Sequence, residues 1–338
     1  MNTRNIVRFV KDWALVFSML TGAAGYFAFA AVPSLVPLRH AALQTVQVVQ
    51  PTLLFFMLFL SFCKVDPRRL RLRRMFLPML AFQCVPFALL ALVPVLWPES
   101  MWVCPVEAAM ICLICPTATA ATVVTVKLGG NAENVTSYLM LSNLACALMV
   151  PLFIPLVNPH AELAFFQSFL LIIGQIFPLL ICPFLLAAAV RFGLPRLHAR
   201  LAATRNLVFN LWICNLSLAI AVTTHHLVHT DAPAAVVAGI MFVSLVACAL
   251  QFAFGRLAGR REGFPISSSQ ALGQKNTVFA IWMGYTFLDP VTSVAGGFYS
   301  IWHNVYNARQ LHRAATGRAL PREQLCHASR AHDKTIET

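Results

Sequence analysis

The chain has 338 residues, of which 59% are hydrophobic and 11% charged, and its formal net charge is +13. A soluble domain carries about 25% charged residues to hold a water-facing surface, so a soluble globule is excluded and lipid is the expected solvent. In a soluble protein such a positive balance points to nucleic acid. Here the basic residues fall in short runs between apolar stretches, so the expected partner is the bilayer and not nucleic acid.

Taken in chain order, residues 1–12 form a basic leader with no small-residue cleavage site after it, so the first apolar stretch reads as a membrane helix and not as a removed signal. Crossing the hydrocarbon core takes about 20 mostly apolar residues. Ten such spans follow, near 13–32, 43–63, 75–97, 103–126, 135–157, 165–190, 206–228, 233–255, 268–288 and 290–308, separated by charged or turn-forming residues. Residues 311–338 are polar and basic and read as a disordered cytoplasmic tail.

The basic residues set the orientation. With the N-terminus in the cytoplasm, 23 of the 25 Lys and Arg residues lie inside, Arg39 alone lies outside, and Lys275 falls within a span. That is the positive-inside pattern, and one missed span would reverse every later loop. Both termini are therefore expected in the cytoplasm. The expected fold is all-α and polytopic, one domain over 13–310. Five spans in each half force the halves into opposite orientations, giving two inverted repeats at about 13–157 and 165–308, the plan of many secondary transporters. The ten cysteines sit mostly in apolar segments without paired spacing and read as small core residues, with neither disulfide nor metal expected.

Two spans carry polar interruptions in matching positions. The fourth contains Cys115-Pro116-Thr117-Ala118-Thr119-Ala120-Ala121-Thr122, and then Thr125. Proline removes a backbone donor and clashes with the preceding turn, and the freed groups need internal partners at that depth. The ninth runs Ser267-Ser268-Ser269-Gln270-Ala271-Leu272-Gly273-Gln274-Lys275-Asn276-Thr277 before turning apolar. Taken singly, each is an ordinary kink lined by packing residues; as a matched pair they mark discontinuous helices around a central site. Lys275 lies about 12 Å into its span at 1.5 Å per residue, too deep to reach the surface, so its ammonium is expected to face a cavity.

Other polar residues receive plainer readings. Glu107, near the start of the fourth span, is expected in water at the outer interface and not in a proton relay. His225, His226, His229 and Asp231 read as a solvated outer loop; Asn206, Asn210 and Asn215 read as a stripe gluing helices. Asn134-Val135-Thr136 matches a glycosylation pattern but falls on the cytoplasmic side. His303 and Asn304 in the tenth span either line the cavity or bridge helices.

These segments resemble the bile acid:sodium symporter family, which also occurs in bacteria with various organic-anion substrates. The family's Cys-Pro-Gly-Gly-x-x-Ser-Asn-x-x-Thr pattern stands against Cys115 to Thr125, its Glu-x-Gly-x-Gln-Asn against Ala271 to Asn276, and its Trp-His-Asn against Trp302-His303-Asn304. In the family, the Ser-Asn and the Glu and Gln help ligate two sodium ions; the matching residues here are Ala121, Thr122, Ala271 and Lys275. A shift of one residue brings Gln270 to the glutamate position. Thr125 and Gln274 complete this altered ion site.

The resemblance implies a transporter in a bacterial inner membrane, working by alternating access on a small organic anion. Thr117, Thr119, Thr122, Lys275, Asn276, His303 and Asn304 are the expected solute contacts. A lysine where sodium would sit implies sodium-independent transport, with a proton or sodium left as the possible coupling ion. The alternatives are a sodium-coupled symporter with an altered ion site, or efflux of an arsenite-type oxyanion through a related ten-helix family in which a fourth-helix cysteine matters, matched here by Cys115. No cofactor is expected. An enzyme is not expected either, since no Ser/His/Asp set or HExxH motif is present, and a membrane sensor would carry a soluble output domain.

Overall fold

Apolar runs of this length become helices because hydrocarbon offers the backbone no hydrogen-bonding partner and a helix satisfies every N–H and C=O internally. The computed structural model describes residues 14–65, 68, 70–158, 164–204, 207–316 and 323. Its helices are α1 (Ala14–Ala31), α2 (Arg39–Cys63), α3 (Phe76–Leu90), α4 (Leu92–Leu96), α5 (Val103–Ile114), α6 (Ala120–Lys127), α7 (Ala132–Val157), α8 (Phe165–Leu180), α9 (Cys182–Gly193), α10 (Pro195–Ala202), α11 (Leu207–Val228), α12 (Ala234–Arg260), α13 (Pro265–Gly273), α14 (Thr277–Phe287) and α15 (Val294–Ala315). Short 3-10 turns occupy Pro33–Leu38 and Pro290–Ser293.

Six stretches are long and apolar enough to cross a membrane: Ala41–Cys63, Phe76–Leu96, Ala132–Val157, Phe165–Gly193, Leu207–Val228 and Ala234–Arg260. Val16–Ala31, Val103–Ile114 and Thr277–Phe287 are shorter apolar helices. The protein is thus an all-helical, polytopic membrane protein. The third and sixth expected spans are each divided once, at Ala91 and at Ile181, and the fourth and ninth are divided into separate helices at their polar runs. Large apolar side chains such as Val48, Leu77, Phe192, Phe242 and Val305 are exposed, as lipid-facing residues must be.

Packing places α12 along α13, α5 and α15, α3 on α5 and α7, and α14 against α15. A second set joins α1 to α11, α11 to α2, and α2 to α9. Gly255 and Gly259, four apart on α12, permit its close approach to α13. A Cβ at Gly255 would lie 2.5 Å from the Ser268 carbonyl oxygen, and one at Gly259 2.4 Å from that of Phe264. This is the small-xxx-small contact of membrane helices.

Some expectations are corrected here. Asn210 is exposed while Asn215 is buried, because five residues turn a helix by about 140°; they do not share a face, and Asn206 lies outside the described residues. Asn134 is buried and its Oδ1 accepts a hydrogen bond from Arg73 Nε at 2.6 Å. The last helix continues past residue 310 to Ala315, and Glu323 is buried against the helices. Residues 1–13, 317–322 and 324–338 lie outside the described residues.

Candidate functional site

Helix α5 stops at Ile114 because Pro116 cannot donate and the residue before it is driven out of the helical region. Cys115 accordingly has φ −49° and ψ 137°. Helix α13 stops at Gly273, followed by Gln274 in extended conformation (φ −86°, ψ 106°). Asn276 then starts α14, its Oδ1 accepting from the Phe279 amide at 3.2 Å.

The two extended pieces lie antiparallel and pair at Thr117 and Lys275. The Asn276 amide donates to the Pro116 carbonyl at 2.8 Å, and the Ala118 amide to the Gln274 carbonyl at 2.9 Å. Such a crossing survives among helices only if the carbonyls released at each break find donors. They do. Gln83 Nε2 donates to the Ile114 carbonyl at 2.9 Å and Gln251 Nε2 to that of Cys112 at 3.0 Å. The Tyr299 hydroxyl donates to the Gly273 carbonyl at 2.8 Å, and Thr117 Oγ1 to that of Ala271 at 2.6 Å. Ser142 Oγ receives the Thr117 amide at 3.0 Å, and the Tyr138 hydroxyl donates to Gln83 Oε1 at 3.0 Å. Gln83, Tyr138, Ser142, Gln251 and Tyr299 escaped the sequence reading. Only Gln83 carries a signal, as the one amide or hydroxyl between residues 75 and 97; the other four sit among further polar residues in their spans.

Lys275 is 1% exposed, and its Nζ has no hydrogen-bond acceptor among the described residues. The titratable groups around it are the neutral thiols of Cys115, Cys146, Cys84 and Cys112, with no carboxylate among them. The crossing brings together the N-terminal ends of α6 and α14, which carry partial positive charge, and the C-terminal ends of α5 and α13, which carry partial negative charge. The helix ends offset one another, and the Lys275 ammonium is the full charge left at the crossing.

The crossing brings together Thr117, Ala271, Gln274, Lys275 and Asn276. Thr119 and Thr122 are half-buried at the start of α6 and make no side-chain hydrogen bond among the described residues, so it is Thr117 that pairs with Lys275 across the breaks. Ala121 and Thr125 are buried, the Thr125 hydroxyl without a hydrogen-bond partner among the described residues. Gln274 Nε2 donates to Gln270 Oε1 at 2.7 Å, and Gln270 Nε2 donates to Asn307 Oδ1 at 3.2 Å and Gln310 Oε1 at 2.6 Å. A chain of amides therefore leads away from the crossing along α13 and α15. His303 is buried, its ring edge-on to Tyr299 at 5.7 Å, with Nδ1 unbonded. Asn304 is turned to its own helix, donating to the Ser300 carbonyl at 2.7 Å.

Glu107 departs from its expected place. It is 4% exposed, and its Oε2 accepts from the Thr292 hydroxyl at 2.9 Å, tying α5 to the Pro290–Ser293 turn. One turn inside a span, a carboxylate finds a protein donor before it finds water. At the end of α11 the rings of His225 and His229 pack together at a tilt and His225 meets Tyr26 edge-on, and no group of three or more His, Cys, Asp or Glu side chains among the described residues is arranged to hold a metal.

No family profile and no characterised protein sequence matches the chain. Its function must be argued from the crossing.

Proposed function

We propose that the chain is a secondary transporter of a small organic anion, with the inverted-repeat plan of the bile acid:sodium symporters, working without sodium. In this reading ten spans form two inverted sets of five in a bacterial inner membrane, with both termini in the cytoplasm. The observation that carries it is Lys275: a buried ammonium without a hydrogen-bond partner among the described residues, at the point where two discontinuous helices cross. A charge at that depth is costly and is kept for function, and a solute carboxylate is the partner this one lacks.

The bundle containing the crossing (α3, α5 to α7 and α12 to α15) rocks against α1, α2, α8, α9 and α11, exposing Lys275 first to one side and then to the other. With Lys275 closed off from solvent, this conformation is the occluded member of the cycle. Asn276 and the hydroxyl of Thr117, released from the Ala271 carbonyl, complete the solute contacts. Sodium is disfavoured at the same place: two unit positive charges 4 Å apart repel by about 4 kcal/mol at an effective dielectric of 20.

The test is counterflow in proteoliposomes with a panel of labelled carboxylates, from acetate to a bile acid. Exchange of at least one of them by the unaltered protein and its loss in Lys275→Met are expected. Undiminished exchange by Lys275→Met would remove the reading.

A further inference from the structure

The N-terminus of α13 lies at the far end of the second discontinuous segment from the crossing. Its N-cap residue, Phe264, supplies no side-chain cap, and Pro265 takes the first helical position. The amides of Ile266 and Ser267 therefore have no acceptor within the helix; the first amide bonded internally is that of Ser268, to the Phe264 carbonyl at 3.0 Å.

A carboxylate from the far end of the chain fills the gap. Glu323 Oε1 accepts from the Ile266 amide at 2.6 Å and from the Ser267 amide at 3.0 Å. Its Oε2 accepts from the Ser267 hydroxyl and, at 3.0 Å, from the Asn131 amide. The Glu323 amide in turn donates to the Gly129 carbonyl at 3.0 Å. Gly129 has φ +83°, a conformation that glycine alone adopts freely, and this points its carbonyl at the tail. The Asn131 amide also reaches Ser267 Oγ at 2.7 Å. Glu323, 3% exposed, thus clasps α13 to the turn between α6 and α7, joining the ends of the two discontinuous segments that lie away from the crossing. Four donors converging on two oxygens at a positive helix terminus are how proteins bind free anions.

The geometry points to a carboxylate-binding site at the N-terminal end of α13, filled by the chain's own Glu323: it is a tethered anion, and a free carboxylate competes with it. That the competitor is the transported solute rests on the carrier reading; the site does not.

Hydrogen exchange of the full chain in nanodiscs tests the site with no solute or gradient present, so it stands or falls apart from transport. The Ile266 and Ser267 amides have no other acceptor among the described residues, so their exchange reports Glu323. In Glu323→Ala their exchange should rise roughly tenfold or more, the weight of one hydrogen bond to a carboxylate, while α7 exchanges as before. Acetate, exchanged for chloride at equal ionic strength, should restore the slow rate. Glu323→Gln, which keeps the bulk of the tail, should also exchange faster and serves if the alanine variant does not fold. Unchanged exchange in these variants, or faster exchange in Glu323→Ala that acetate leaves untouched, would overturn the proposal.

Discussion

At the scale of single residues the protein divides into side chains that serve the fold and one that opposes it. Gln83 and Tyr299 hold carbonyls released by the two breaks. Removing either donor leaves a buried carbonyl unbonded, at about 1–3 kcal/mol. Gln83→Leu and Tyr299→Phe should each lower thermal stability in detergent by that amount, whereas Asn304→Ala, which loses only a bond to its own helix, should stay within about 0.5 kcal/mol. Lys275 is the opposing residue. Its Nζ is buried without an acceptor among the described residues, so Lys275→Met should stabilise the protein by at least about 1–3 kcal/mol, the cost of an unpaired neutral polar group, since a buried ammonium costs more. A melting temperature unchanged or lowered by that substitution would mean that the ammonium has a partner. Lys275 was legible in the sequence because charge inside a span is rare. The pairing of Thr117 with it was not, because the register of two crossing strands depends on where each helix stops.

Helices and their contacts set the next scale. The break after Ile114 follows from Pro116, whereas the break after Gly273 has no proline to announce it and sits at the end of the polar run, at Gln274 to Asn276. Glu107 was misread for a related reason: its place in the sequence suggests an interface, but the Pro290–Ser293 turn folds back over it and Thr292 supplies the donor. The seam between α12 and α13 depends on glycine at Gly255 and Gly259. Gly259→Ala forces a methyl to within 2.4 Å of the Phe264 carbonyl oxygen and should cost about 1–3 kcal/mol, as overpacking does. Gly174→Ala meets nothing within 4 Å; within α8 it should stabilise by roughly 0.5–1 kcal/mol, the helix-propensity difference. Thermal unfolding of the two variants side by side checks the seam, and equal melting temperatures would contradict it.

For the whole molecule, composition and apolar periodicity made the helical membrane protein legible almost throughout, since lipid leaves the backbone few alternatives. The convergence at the centre was legible only as two polar runs. The docking of Glu323, more than 50 residues from Ser267, has no local signature at all. Under the proposed function these parts meet in one feature: the Lys275 ammonium takes the place of a mobile cation that would balance an anionic solute. The most direct test is uptake by proteoliposomes of a carboxylate found in the counterflow panel, in sodium and in potassium media of equal ionic strength, with the unaltered protein and Lys275→Met. The account predicts equal uptake in the two media and none by Lys275→Met. Uptake by the unaltered protein that rises steeply with sodium and not with potassium would contradict it.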